Sequence, residues 1–252
     1  MPAAGIKESI KYYAKELRLP TFASPQRLIS QFEAGQSLED FILAMMKEEY
    51  EHRKENQRRR RVRKAAFPIV KTMEEFDLKA LAHVRPDYVK QLASGEFIDR
   101  HENIVMIGNP GTGKTHLMTA IGYRACLDGR SVLFKSASTL ATELKEAKDN
   151  YQLRKMEKAI AAVDLLLLDE LSYTSFGQEA SELLFKIIAE RSERSSTIIT
   201  TNLEFSKWVD MFSSQTLVAA LVDRLTFHSH ILNMNGKSYR LKGAGRKAGD
   251  AD

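Results

Sequence analysis

The sequence predicts an α/β fold, a parallel sheet flanked by helices, preceded by a small all-helical region. Three observations carry this. A short, mostly apolar run, Asn103 to Ile107, ends at the glycine-rich stretch Gly108-Asn109-Pro110-Gly111-Thr112-Gly113-Lys114-Thr115, and His116 to Ala125 then reads as a helix. A second, mostly apolar run, Val163 to Leu168, closes in Asp169 and Glu170, as expected of a strand covered on both faces. A third, the β-branched Ser196 to Thr201, ends at Asn202.

From the N-terminus, Ile6 to Leu17 and Pro25 to Phe32 carry apolar residues at helical spacing, and Ser37-Leu38-Glu39-Asp40 signals a helix start leading into Phe41, Ile42, Met45 and Met46. That helix runs on into Arg53, Lys54, Arg58, Arg59, Arg60, Arg61, Arg63 and Lys64. These eight bases face one acid, Glu55, so the local excess of seven exceeds the +5 of the whole chain. Residues 1–64 therefore form a basic helical region that suits a phosphate backbone. An RNA, an acidic protein or a merely solvated helix face would also fit. No base-reading module such as a zinc finger is present, so contact that follows backbone and shape is the better expectation, with a helix-turn-helix among the first helices left open.

Residues 65–100 link this region to the core. Phe67-Pro68 breaks the basic helix, and a further helix is expected around Leu81 to Leu92. Residues 101–242 form the core domain. Arg130 to Lys135 is a strand followed by a helix start at Ser136 and Ser138, so one strand and its helix intervene before the acidic strand. That spacing favours a phosphate-loop architecture with an inserted strand and a catalytic glutamate. After an Asn235-Gly236 hairpin signal comes a strand, Lys237 to Lys242, and then a Gly-, Ala- and charge-rich tail, 243–252, with no room for a helical lid.

Composition agrees with a soluble enzyme-sized domain. The chain has 252 residues, 43% apolar, with strand-sized apolar runs and no signal-peptide core in Met1 to Ile10. The single cysteine, Cys126, permits no internal disulfide, and a cytoplasmic location is expected.

The glycine loop fits the G-x-x-x-x-G-K-[ST] phosphate-binding pattern at every defined position. Small residues let backbone N–H groups curl around a triphosphate while the following helix offers its positive end. Lys114 is placed to neutralise β- and γ-phosphate oxygens, and Thr115 and Asp169 to hold Mg²⁺. Glu170 would polarise the attacking water. Asn202 would orient water or sense the γ-phosphate, or else cap the turn that follows it. The expected chemistry is Mg²⁺-dependent ATP hydrolysis.

With Tyr13-Ala14-Lys15-Glu16-Leu17-Arg18-Leu19-Pro20, Ala66-Phe67-Pro68, Lys71 to Asp77, Gly111 to Leu117, Leu168-Asp169-Glu170-Leu171, Ile198 to Asn202, Val222-Asp223-Arg224-Leu225 and Ser238-Tyr239-Arg240-Leu241-Lys242 in order, most of the chain resembles the IstB-like ATP-binding proteins. These are helper ATPases of bacterial insertion-sequence transposition, related to DnaC and DnaA of the AAA+ class. The resemblance implies a nucleotide-binding set that extends to His116, and a role for Arg224 as a finger acting on a neighbouring subunit's γ-phosphate, with a surface ion pair as the plain alternative. It implies a second sensor at Arg240, a role the missing lid puts in doubt. It places Phe67 to Phe76 near the adenine, with core packing equally open for either phenylalanine. It further implies a homo-oligomer, ring or open spiral, that binds duplex DNA in the nucleoid and serves a partner transposase. A DnaC-like loader of the replicative helicase is the alternative, and a DNA scaffold with negligible turnover a third.

Overall fold

Five parallel strands carry the core, in the order β2-β3-β4-β1-β5. They are β1 (Asn103–Ile107), β2 (Val132–Ser136), β3 (Leu165–Asp169), β4 (Ser196–Thr201) and β5 (Ser229–Asn233). A computed structural model describes residues 3–32, 35–78, 81, 83–171, 177–210, 212, 214–236 and 238–239. It divides into two units, 1–60 and 61–252.

In the larger unit, β3 explains the three-layer architecture. Successive side chains of a strand point to opposite faces. Leu165 and Leu167 pack with Leu117, Met118 and Ile121 of helix α6 (Lys114–Leu127), while Leu166 and Leu168 pack on the other face. That second layer consists of α7 (Ala137–Asp149), α9 (Gln178–Ser192) and α10 (Gln215–Phe227). Each of these four leucines is fully buried, worth about 1.5–3 kcal/mol apiece. The inserted strand is β4, which pairs β1 from Ile104 opposite Ile198 to Ile107 opposite Thr201, and pairs β3 from Leu165 opposite Ser196 to Leu168 opposite Ile199.

Two features close the far end of the sheet from the glycine loop. Arg191 of α9, 3% exposed, donates to the carbonyls of Ile160 (2.6 Å), Ser196 (2.8 Å) and Val163 (3.1 Å). Burial pushes its pKa down to about 10, still charged at neutral pH. It thereby pins the end of α8 (Leu153–Ala161) and the starts of β3 and β4 together. Cys126 is a buried hydrophobe whose thiol burial pushes up to about 11, which leaves it inert.

Helix starts follow the sequence signals where a side chain does the capping. Ser136 accepts from the Thr139 N–H (3.1 Å) to start α7, and Ser37 from the Asp40 N–H (3.1 Å) at α3 (Leu38–Ala65). The basic run does continue α3, which ends at Ala65 before Ala66 at φ 56°. In the smaller unit α1 (Ala3–Glu16) and α2 (Pro25–Ser30) stand where helical spacing put them.

Two expectations need correction. The helix around Leu81 to Leu92 is α4 (Pro86–Ala93), because Pro86 suits a first-turn position and disfavours helix before it; α5 (Glu96–Asp99) follows. Among the described residues the Asn235-Gly236 hairpin is not seen: Ser238 is not in a strand and Tyr239 has helical backbone. Lys237, Arg240, Leu241 and Lys242 of the expected strand and the tail 243–252 lie outside the described residues. Among the described residues no helix is long and apolar enough to cross a membrane.

Candidate functional site

At the C-terminal edge of the sheet, the segments that follow β1, β3 and β4 contribute Lys114 and Thr115, Glu170 and Asn202 to the lining of one cleft. Gly113 caps α6 at φ 93°, a conformation that suits glycine, and a Cβ there would lie 3.1 Å from the Phe76 ring. Gly108 passes so close to the Met234 backbone that a Cβ would sit 2.6 Å from its carbonyl. The loop is thus held from behind. The Asn109 N–H donates to Asn235 Oδ1 (3.1 Å), and the Tyr239 N–H to the Gly111 carbonyl (2.9 Å). Tyr239 Oη donates to the Asp77 carbonyl (3.2 Å). Met234, Asn235 and Tyr239 thus form a strap behind the loop, where the sequence suggests a hairpin turn at Asn235-Gly236 and a strand from Lys237.

Lys114 is 8% exposed, and its Nζ donates to the carbonyls of Gly108 (2.6 Å) and Asn109 (2.8 Å) and to Asn202 Oδ1 (2.6 Å). The ammonium is therefore aimed at oxygens inside the loop mouth, where phosphate oxygens would compete with neutral acceptors as stronger, charged ones. Thr115 Oγ1 donates to Asp169 Oδ1 (3.0 Å), and Thr200 Oγ1 donates to the same oxygen. A hydroxyl and a carboxylate side by side next to a phosphate cradle are the donor set that Mg²⁺ takes beside nucleotide and water oxygens. The residues present therefore fit that ion.

Glu170 is exposed to the cleft and sits at φ 57°, in the left-handed region. For a residue with a Cβ this costs about 1–2 kcal/mol, offset in part by its N–H bond to Thr200 Oγ1 (2.9 Å). Asn202 and Tyr239 complete the lining together with Thr201 and His116. His116 meets Phe76 edge-on, with centroids 5.2 Å apart. Burial holds its pKa below the usual imidazole value, and the nearby Lys71 adds to this against opposing contributions from the Thr72 backbone and Glu75, so the ring is neutral at pH 7. Its Nε2 has no hydrogen-bond partner among the described residues. Of the two phenylalanines expected near the base, Phe76 stands beside the loop. Phe67 packs under α6, within 3.2 Å of where a Gly122 Cβ would be.

The cleft therefore gathers Lys114, Thr115, His116, Glu170 and Asn202, with Asp169 behind them. It does not gather Arg224, which sits half-exposed in the last turn of α10 with its Nε 3.9 Å from Glu193 Oε1. Arg240 lies outside the described residues. Sequence reasoning missed Thr200 and Asn235 and gave Tyr239 no role. The Thr-Thr-Asn end of β4 held the signal for the first, since two buried hydroxyls beside a carboxylate strand need partners.

Comparison with known proteins decides the family. Residues 12–247 match the profile of the IstB-like ATP-binding proteins. The chain belongs to that family. Similar members include the putative ATP-binding protein of insertion sequence IS21 from Pseudomonas aeruginosa, 36% identical over 210 residues, covering 83% of this chain and 79% of that protein. The putative ATP-binding protein of IS5376 from Geobacillus stearothermophilus is 30% identical over 239 residues, covering 94% and 95%. Among solved structures, AMPPCP-bound DnaA from Aquifex aeolicus has a TM-score of 0.55 at 24% identity, covering 70% of this chain and 54% of that one. The chain thus spans little more than half of that DnaA. The DnaC helicase loader gives 0.51 at 24%, covering 60% and 88%. These two likenesses show that this IstB-like protein shares the fold of DnaA and DnaC.

The basic run of the IstB-like chain is less uniform than its composition suggests. Arg53 donates to Glu49 (2.8 Å) and to the Arg18 carbonyl (3.0 Å), Arg59 to Glu55 (2.8 Å), and Arg61 to the Cys126 carbonyl (2.8 Å). Lys54 Nζ lies 4.6 Å from the centre of the Tyr50 ring. Arg58, Arg60, Arg63 and Lys64 make no ion pair among the described residues.

Proposed function

We propose that this protein is a Mg²⁺-dependent ATPase that assembles on duplex DNA and delivers target DNA to a partner transposase, stimulating it. The observation that carries the reading is the convergence of Lys114, Thr115, Glu170 and Asn202 on one cleft at the strand ends, in a chain of the IstB-like family. Lys114 would exchange its loop carbonyls for β- and γ-phosphate oxygens. Glu170 would accept a proton from the water that attacks the γ-phosphorus, and Asn202 would hold that water or the γ-phosphate in line. Bound Mg²⁺ would supply charge neutralisation of the triphosphate, held by Thr115 and Asp169. Arg224, outside its own cleft, is free to serve a neighbouring subunit's site once its weak contact with Glu193 yields.

ATP would then act as a switch. A γ-phosphate gripped by Lys114 on one subunit and Arg224 on the next favours the assembled state, and hydrolysis weakens it. Arg58, Arg60, Arg63 and Lys64 supply the charge for a DNA backbone. The test is Glu170→Gln in single turnover. It should bind ATP as wild type does and hydrolyse it about 10²–10⁴-fold more slowly; hydrolysis at the wild-type rate would remove Glu170 from the chemistry.

A further inference from the structure

Thr200 is the next-to-last residue of β4, 1% exposed, and its single hydroxyl serves both halves of the acidic pair. It donates its proton to Asp169 Oδ1 and accepts the Glu170 N–H (2.9 Å). Its backbone carbonyl accepts the Leu171 N–H (2.9 Å). Thr201 continues the contact, donating to the Leu171 carbonyl (2.6 Å) and accepting the Leu203 N–H (3.0 Å).

Regular pairing of β3 with β4 runs only as far as Leu168 opposite Ile199. Beyond that point these bonds take over and fasten Asp169, Glu170 and Leu171 to the tip of β4. The fastening matters because Glu170 has a left-handed backbone that an unanchored residue with a Cβ would leave. Asn202, one step further along the same strand tip, accepts from Lys114. A three-residue segment thus connects the phosphate-facing lysine to the backbone of the glutamate.

We propose that Thr200 is a positioning residue for ATP hydrolysis: its hydroxyl fixes the pose of Glu170 and turns Asp169 Oδ1 toward Thr115. The proposal rests on the reading of Glu170 as the group that activates water. A hydroxyl that is one bond removed from the reaction should act like the outer partners of other sites, whose loss costs about 10–100-fold in activity or metal affinity.

The test compares Thr200→Val, which keeps the shape and loses the hydroxyl, with Thr200→Ser, which keeps the hydroxyl and loses the methyl. ATP affinity by equilibrium binding, the Mg²⁺ concentration for half-maximal ATP-dependent thermal stabilisation, and the single-turnover hydrolysis rate are read for both, with Glu170→Gln alongside. Expected for Thr200→Val are an ATP affinity within about threefold of wild type, a Mg²⁺ requirement raised severalfold, and hydrolysis slowed about 10–100-fold. Thr200→Ser should recover most of the rate. Equal loss in both variants would mark a packing role and overturn the proposal, as would wild-type hydrolysis by Thr200→Val while Glu170→Gln is impaired. Wild-type hydrolysis by Glu170→Gln would instead overturn the site reading on which the proposal stands. Should Thr200→Val fail to fold, Thr200→Ala against Thr200→Ser makes the same comparison of hydroxyl present and absent.

Discussion

The ATPase core and the N-terminal helices obey the same rules of patterning and end in opposite states. In the core, β3 and β4 are buried along their whole length, and the helices on either face fill two apolar clusters. In the N-terminal unit few large apolar residues are buried, Leu28 and Met45 among them, while Ile6, Tyr13, Leu17, Ile29, Leu38, Leu43 and Met46 are each at least half exposed. From Glu51 to Gln57 every residue of α3 is exposed, a helix polar on all sides that runs on i,i+4 pairs such as Arg53 with Glu49 and Arg59 with Glu55. The core owes its order to its own chain, so its chemistry can be read from internal distances. The helical unit carries charge and apolar surface facing outward, so its work is to be sought in what it meets.

Changes at the two regions should therefore differ in kind. The largest effect belongs to Lys114→Ala, which should abolish measurable ATP binding in an equilibrium titration while the fold persists, since the loop glycines and the strap remain. Next comes Leu167→Ala, a full leucine removed from beneath α6. It should cost about 2–5 kcal/mol in urea unfolding, whereas Leu43→Ala, half exposed on α3, should stay within about 0.5 kcal/mol. A cost at Leu43 as large as that at Leu167 would erase the contrast.

A smaller and selective effect is expected from replacing Arg58, Arg60, Arg63 and Lys64 together by alanine. Duplex affinity should fall alike across unrelated sequences, and the slope of log affinity against log salt should flatten by about 1–4 units, with ATP binding unchanged. An unchanged slope would move the DNA path elsewhere. The same substitution at Arg53, Arg59 and Arg61 should do less to the slope, because those guanidiniums are already engaged. The smallest effect concerns His116. Its folded pKa lies below its unfolded one, so the unfolded chain binds more protons on acidification and stability falls as pH drops through the ordinary imidazole range toward the folded value. Stability of His116→Gln measured at pH 7, 6 and 5 should decline less steeply than that of wild type.

The strands that were legible in the sequence are those with a uniform environment. Asn103–Ile107 and Ser196–Thr201 stand at the expected boundaries because both faces of each are covered and each ends at a distinctive residue, Gly108 or Asn202. β5 was not legible. It is an edge strand, Ser229-His230-Ile231-Leu232-Asn233, in which Leu232 alone is buried, so neither alternation nor a continuous apolar run marks it. The local Asn-Gly signal beside it then suggested a hairpin, but the partner of β5 is β1, more than a hundred residues away, and pairs with it in parallel. The cleft was legible as a set of motifs and not as a network. Which hydroxyl reaches which carboxylate depends on β3 and β4 lying side by side, and no spacing rule reports that.

The strap behind the loop also orders events in time. During synthesis the glycine loop and α6 emerge long before Met234, Asn235 and Tyr239, which hold Gly108, Asn109 and Gly111. At about 5–20 residues per second, the ribosome needs roughly ten seconds to travel from Thr115 to Tyr239. For that interval the nascent chain has its glycine loop without the residues that brace it from behind.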